Sequence, residues 1–383
     1  MKILLSLIGN TIGTTGGVEK VLCNMANAMV ARGHEVTILA FENKEGKPFF
    51  YLDERVHFLN LGIGHKLSHF LFNITSFYLN KDKKEFKRLL TDCNQIANII
   101  GEKIKSIKTD ILITFEQRSE VLFKEFIDLN IPIITMFHFN YKNVLRNKQL
   151  YYIYEKSDCL QVLTQHDLKE TRKLIKSPEI VWIPNAVPQS KKQAKFDIKT
   201  IITVGRIDNI HKRQHLLIEA FKILNDRYPE WTLDIYGDTS FNTKYYNKCC
   251  ELIKKYNLAD KVRFYGMTKD VESVLLNSSI FAFPSTSEGF GLALAEGMSA
   301  GLPAIGYKNC PAVNELIKDG KTGFLCDDGV EPLAEALDKL MRDKDLCIRM
   351  GRDAKADMAQ FAPEKIWNQW EELMKKLLNH SKR

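Results

Sequence analysis

Short apolar, β-branched runs alternate with helical stretches along nearly the whole chain, and that alternation admits few folds. Parallel strands need a crossover, and a helix is its usual form, so the pattern implies parallel sheets covered by helices. In the first half, Ile3–Ile8 precedes a helix predicted from about Val18 to Arg32, Gly33-His34 ends that helix, and Val36–Ala40 is the next strand. Further strands are expected at Ile111–Thr114, Ile131–Phe137 and Cys159–Leu163. The pattern reaches a boundary at Val181-Trp182-Ile183-Pro184-Asn185, then crosses a polar, Lys-rich stretch from Ser190 to Lys199. A second series begins at Ile201 and continues with Trp231–Tyr236, Val262–Tyr265, Ile280–Phe283, Ala304–Gly306 and Gly323–Leu325. Two successive doubly wound α/β domains are expected, over 1–185 and 200–361, joined by a linker at 186–199. The chain closes on a strongly helical segment within 362–383.

Composition allows this plan and narrows the partners. The 383 residues fit two or three domains, 45% hydrophobic content supports full cores, and 27% charged residues indicate a soluble surface. The net charge of +8 is moderate, with Lys and Arg mixed among Asp and Glu. That balance suits anionic substrates or an anionic membrane surface and does not mark a nucleic-acid binder. Eight scattered cysteines without a C-x-x-C read as reduced structural thiols of a cytoplasmic protein. No run is long and apolar enough to span a bilayer, and Ile3–Ile8 is too short for a signal peptide's apolar core.

Two constellations carry the chemistry. Between Phe283 and Pro303 the chain reads FPSTSEGFGLALAEGMSAGLP, with Glu288 in a loop after a strand and Glu296 within the first turns of a helix starting near Gly291. Gly289 and Gly291, either side of Phe290, let backbone approach a ligand, and the helix start offers free N–H groups to an anion. A nucleotide-sugar needs donors for its diphosphate and carboxylates for its hydroxyls. The second constellation is Val204-Gly205-Arg206 followed by Lys212, with Arg206 leaving the C-terminal end of a β-branched strand and Lys212 starting an amphipathic helix. Ligands of open α/β sheets bind at such strand ends, and an Arg fork with a Lys point charge suits a diphosphate leaving group. Taken singly, the first segment also reads as an ordinary strand, turn and helix, and each cation as a solvated charge.

The two glutamates resemble the E-x7-E motif of retaining glycosyltransferases of family 4, and Gly205-Arg206 with Lys212 resembles that family's G-R-x(n)-K-G signature, with Arg213 in place of the glycine. The resemblance covers most of the chain and is strongest from 201 to 325. It implies the GT-B fold, two Rossmann-like domains facing across a cleft, with the last helix crossing back to the N-terminal domain. It implies that the C-terminal domain binds the donor, with a UDP-sugar the expected one, and that the N-terminal domain binds the acceptor. In that reading Arg206 and Lys212 stabilise the departing diphosphate, Glu296 accepts the ribose hydroxyls and Glu288 holds the sugar. The main chain of Phe290, Gly291 and Leu292 contacts sugar and phosphate, and Gly205, Gly266 and Gly289 complete the donor site. Gly16-Gly17 before Val18-Glu19 reads by itself equally as a flexible surface loop, and it resembles the family's G-G-x-E run near the donor phosphate, whereas G-x-G-x-x-G is not matched. His138, after the apolar strand Ile131–Phe137, reads by its residues alone either as a histidine packed among aromatics or as a crevice residue at a strand's carboxyl end, and the resemblance implies contact with the donor sugar.

Ile183-Pro184-Asn185-Ala186-Val187 resembles a junction element in which Asn185 contacts the acceptor, although Ala186 and Pro188 replace its glycine and aspartate. Asn185 reads equally as a turn residue. Asp343-Lys344-Asp345 has the spacing of a metal-binding Asp-x-Asp but lacks a preceding strand and reads as a solvated helix face, so neither metal nor cofactor is expected. The aromatic and aliphatic cluster at 67–79, followed by Lys81, Lys83, Lys84, Lys87 and Arg88, reads as a core-facing helix with a basic face, or as a membrane-surface patch delivering a lipid-linked acceptor. The expected function is transfer of a sugar to a saccharide or lipid-linked saccharide in cell-surface polysaccharide, lipopolysaccharide or glycan synthesis, in the cytoplasm or at the inner membrane face. An epimerase or phosphorylase of the same fold, or an inactive nucleotide-sugar-binding protein, stays open.

Overall fold

The first sheet has seven parallel strands in the order β3-β2-β1-β4-β5-β6-β7, namely β1 Lys2–Ser6, β2 Glu35–Ala40, β3 His57–Asn60, β4 Ile111–Thr114, β5 Ile133–Phe137, β6 Cys159–Val162 and β7 Glu179–Trp182. The structure is a computed structural model that describes residues 1–9, 11–63, 97–115, 122–127, 129–138, 154–155 and 157–381. The aromatic and basic run at 67–88 lies outside the described residues. β4, β5 and β6 are buried throughout and β1 at every residue but Lys2, as expected of a parallel sheet covered on both faces. β3 was not expected; it is an edge strand, half-exposed, so its sequence lacks the apolar run of its neighbours.

The second sheet has six parallel strands in the order β10-β9-β8-β11-β12-β13, with β8 Thr200–Val204, β9 Thr232–Tyr236, β10 Val262–Gly266, β11 Ile280–Phe283, β12 Ala304–Tyr307 and β13 Gly323–Cys326. Both sheets reverse direction beside their first strand, between β1 and β4 and between β8 and β11, which creates a crevice at the carboxyl ends of those strands. The core of this unit includes Ile201, Leu217, Phe221, Leu233, Ile235, Leu333 and Leu337.

Residues 1–184 and 367–383 form one unit, and 185–366 the other. The final helix, Pro363–Ser381, buries Trp370 and Met374. Glu371 on it takes Arg32 Nη1 at 2.8 Å and His34 Nε2 at 2.7 Å, and Lys376 reaches Glu179 at 2.7 Å. Ala194 N donates to Ala300 O at 2.9 Å and Lys195 N to Leu276 O at 3.0 Å, so that Lys-rich stretch packs on the second unit.

β7, paired in parallel with β6, was likewise not expected. Two expectations are corrected. The helix expected to begin at Lys212 begins at Gln214, because Arg213 stands in the left-handed region at φ 47° and cannot lie inside a right-handed helix. Asp343 precedes the Lys344–Met358 helix and caps it, accepting from Leu346 N at 2.8 Å.

Candidate active site

The loop from Arg206 to Arg213 leaves β8 and is shaped by Asp208. That buried carboxylate accepts from Ile210 N at 2.7 Å, and the Asp208 carbonyl accepts from Arg213 N at 2.7 Å. Gln214 Nε2 donates to Arg206 O at 2.7 Å, fixing the loop's other end. The segment after β11 is tied to the same loop: Thr286 N donates to His211 O at 3.0 Å and Thr286 Oγ1 to Ile210 O at 3.2 Å. Two crossovers from opposite sides of the topological switch are thereby joined by hydrogen bonds.

Lys212 and Glu288 meet there. Lys212 Nζ lies 2.5 Å from Glu288 Oε1, with the two side chains only 14% and 11% exposed. The ammonium also sits 4.4 Å from the Phe283 ring centroid. Ser285, fully buried, donates to the same Oε1 and has the His211 carbonyl within 3.1 Å. A Cβ on Gly205 would lie 3.3 Å from Lys212 Cε, so the glycine leaves room for the lysine stem. Arg206 is poised with its guanidinium 5.1 Å from the Phe241 ring centroid.

Beyond Glu288 the chain turns through Gly291, at φ 86°, into the Leu292–Ser299 helix, and no side chain caps it. A residue with a Cβ is strained at that φ, and the N–H groups of the first turn carry no side-chain cap, which leaves them as the donors that a helix start offers an anion. Phe290 is buried and packs edge-on against Phe361 at 5.4 Å, which commits its ring to the core, and Gly289 is half-buried beside it. Glu296 is buried in the second turn of that helix. Gly266 ends β10 at φ 70° and its carbonyl accepts from Gly237 N at 2.8 Å.

In the first unit, Gly16 is the extended N-cap of the Gly17–Ala31 helix, so the left-handed residue of this loop is Gly13, at φ 66°. Glu42, buried just past β2, accepts from Thr11 N and, at 2.6 Å, from Ile12 N, anchoring the loop's start. His138 follows β5 and stacks on Phe115 at 5.5 Å. Its Nε2 is buried with no partner among the described residues, and burial pushes its pKa down to about 4. Asn185 is buried at the start of the second unit.

Sequence reasoning missed Asp208, Ser285, Gly237 and Glu42. A Cβ at Gly237 would lie 1.9 Å from the Gly205 carbonyl oxygen, so Gly237 is what lets β8 and β9 end side by side. The Gly-Asp step after an apolar strand was the available signal. Among the described residues no cluster of His, Cys, Asp and Glu is arranged to hold a metal ion, and no helix is long and apolar enough to cross a membrane.

The profile described as Glycosyltransferase Family 4 matches residues 15–191, and the one described as Glycosyl transferases group 1 matches residues 188–357. An uncharacterized glycosyltransferase of Haemophilus influenzae is 27% identical over 372 residues, covering 95% of this chain and 97% of its own. Among solved structures, a variant of TarM from S. aureus in complex with Fondaparinux, alpha-GlcNAc-glycerol and UDP superposes with a TM-score of 0.76 at 15% identity, covering 98% of this chain and 100% of that one. HepE from Anabaena, in complex with UDP and glucose, gives 0.73 at 18% identity with coverages of 98% and 100%. The two sheets, each with its switch point beside the first strand, and two consecutive profiles reaching from residue 15 to residue 357 agree: this chain belongs to the glycosyl transferases group 1, family 4, and has the GT-B fold.

Proposed function

We propose that the protein is a retaining glycosyltransferase that moves a sugar from a UDP-sugar to a saccharide or lipid-linked saccharide without a metal ion. The observation that carries this reading is that Lys212 and Ser285 both engage Oε1 of Glu288 at the switch point of the second sheet. Glu288 Oε2 is then the oxygen left for a sugar hydroxyl, and Lys212 stands where it can turn from Glu288 to a diphosphate. Arg206 supplies the second cation, and the N–H groups after Gly291 supply neutral donors. Fixed donors of this kind need no reorganisation as negative charge builds on the leaving group. Glu296 accepts the ribose hydroxyls, and His138, neutral near pH 7, serves as a hydrogen-bonding partner of the donor sugar. UDP is preferred among diphosphates because both TarM and HepE, similar in fold, were solved with it.

The acceptor belongs to cell-surface polysaccharide, lipopolysaccharide or related glycan synthesis, the setting named for a relative, the amylovoran biosynthesis glycosyltransferase AmsD of Erwinia amylovora, 22% identical over 382 residues. Peripheral contact with an anionic membrane rests on the sequence of 67–88, where each basic residue near the surface adds about 1 kcal/mol. Co-sedimentation with anionic vesicles at low salt, lost on screening, is the expected result.

The direct test offers a panel of UDP-, GDP- and ADP-sugars with and without saccharide acceptors and reads products by NMR in excess EDTA. UDP release and a product with the donor's anomeric configuration are expected. An inverted product would remove the retaining assignment, and complete loss in EDTA with recovery on Mn²⁺ would remove the role given to Arg206 and Lys212.

A further inference from the structure

Arg213 occupies the position where the family pattern has glycine, and its backbone shows why: φ is 47° and ψ is 48°. A side chain with a Cβ is disfavoured there, so the turn persists only if its surroundings hold it. The hold is specific. Arg213 Nη1 and Nη2 lie 3.1 and 2.9 Å from the two carboxylate oxygens of Asp328, just past β13. The guanidinium sits 5.0 Å from the ring centroid of Tyr307, the last residue of β12, and the Tyr307 hydroxyl donates to Gly329 O at 3.3 Å. Arg213 Nε is buried with no partner among the described residues, so the bidentate pair and the ring carry the anchor. The side chain of Arg213 thus braces the loop after β8 against the ends of β12 and β13, while its neighbour Lys212 reaches Glu288 after β11.

We infer that Arg213 is a positioning residue: its pairing with Asp328 and stacking on Tyr307 maintain the left-handed turn that a glycine would adopt without strain, and so keep Lys212 aimed at the diphosphate. This rests on the reading of Lys212 as a diphosphate ligand. It requires that the backbone conformation at 213, and not the guanidinium charge, be what the donor site uses.

Calorimetric titration of UDP separates the two. Arg213→Ala and Arg213→Gly remove the same charge but differ in backbone strain. Arg213→Ala and Asp328→Ala are each expected to weaken UDP roughly tenfold. Arg213→Gly, alone or combined with Asp328→Ala, is expected to stay within about threefold of the wild-type protein, since glycine needs no anchor. Should Asp328→Ala fold poorly, Asp328→Asn keeps its shape, removes its charge and is expected to give the same order. Equal losses in the Ala and Gly variants would mean that Arg213 acts through its charge, and the inference would fall. A lower thermal midpoint with unchanged UDP affinity in Asp328→Ala would reduce the anchor to a structural role and also overturn it. Wild-type protein that binds no UDP would instead refute the donor reading itself.

Discussion

Lys212 Nζ and Glu288 Oε1 stand 2.5 Å apart although 76 residues separate them along the chain. The contact joins the first crossover of the second sheet to the loop after β11, and Ser285 completes it from the same side. A charged pair this little exposed is costly to break from one end, since the remaining partner stays desolvated. In the proposed reading its value lies in placement, with Lys212 held for a donor's diphosphate and Glu288 for its sugar.

Removal of the lysine therefore acts on turnover. Lys212→Ala is expected to lower kcat by about 10²–10³, the usual cost of one preorganised donor at a developing charge. Lys212→Arg restores little, because the planar fork cannot occupy the narrow place beside Gly205. Steady-state kinetics at saturating donor measure both, and a kcat within about threefold of wild type in Lys212→Ala would show that the diphosphate is stabilised elsewhere.

The two glutamates separate by ligand. Glu296→Ala is expected to weaken UDP itself at least roughly tenfold, as lost hydrogen bonds to a charged group contribute about 1.5–3 kcal/mol. Glu288→Ala leaves UDP binding nearly intact and damages turnover of the UDP-sugar. Ser285→Ala follows Glu288→Ala in direction with a smaller effect, since the hydroxyl only orients the carboxylate. Calorimetry with UDP and kinetics with the sugar donor decide it, and equal UDP losses in Glu288→Ala and Glu296→Ala would mean the roles are wrongly divided.

His138 makes stability depend on pH. Its pKa is lowered from 6.5 to about 4 by burial, so the unfolded chain takes up the proton first as pH falls. The stability it contributes is complete above the unfolded value of 6.5 and is lost as pH falls toward about 4. The limiting slope is about 1.4 kcal/mol per pH unit. Urea midpoints of wild type and His138→Gln, compared at about pH 7 and about pH 5, are expected to diverge at neutral pH and converge in acid. A ring titrating near 6.5 by NMR in the folded protein would contradict this.

Gly237→Ala tests the close approach of β8 and β9. Its Cβ would meet the Gly205 carbonyl oxygen at 1.9 Å, which forces the strand ends apart. A loss of about 1–3 kcal/mol in stability is expected, together with weaker UDP binding because Gly205 and Arg206 move. Unchanged thermal and UDP-binding curves would show that the strand ends yield without cost.

Much of the fold was legible because parallel strands announce themselves locally. β4 and β11 coincide with their apolar runs, and most other expected strands differ by one or two residues at an end. β3 and β7 escaped for the same physical reason, since strands at a sheet's edges are part-solvated and their side chains lack the continuous apolar signal. Gly291 could be nominated as a turn glycine from its place before a helix, whereas Gly16 and Gly17 could not be told from Gly13, because φ depends on how the loop closes over Glu42.

The alternation of apolar runs and helices by itself determined two doubly wound sheets, and strand-to-loop steps marked Arg206, Lys212 and Glu288 one at a time. Tertiary structure alone decided that Lys212 and Ser285 share one oxygen of Glu288, that Arg213 is held in a left-handed turn by Asp328, and that Gly237 faces the Gly205 carbonyl. Periodicity records which face of an element is buried, a local property repeated every few residues. Contacts between crossovers depend on strand order and on where each loop closes, and no short stretch of chain encodes either.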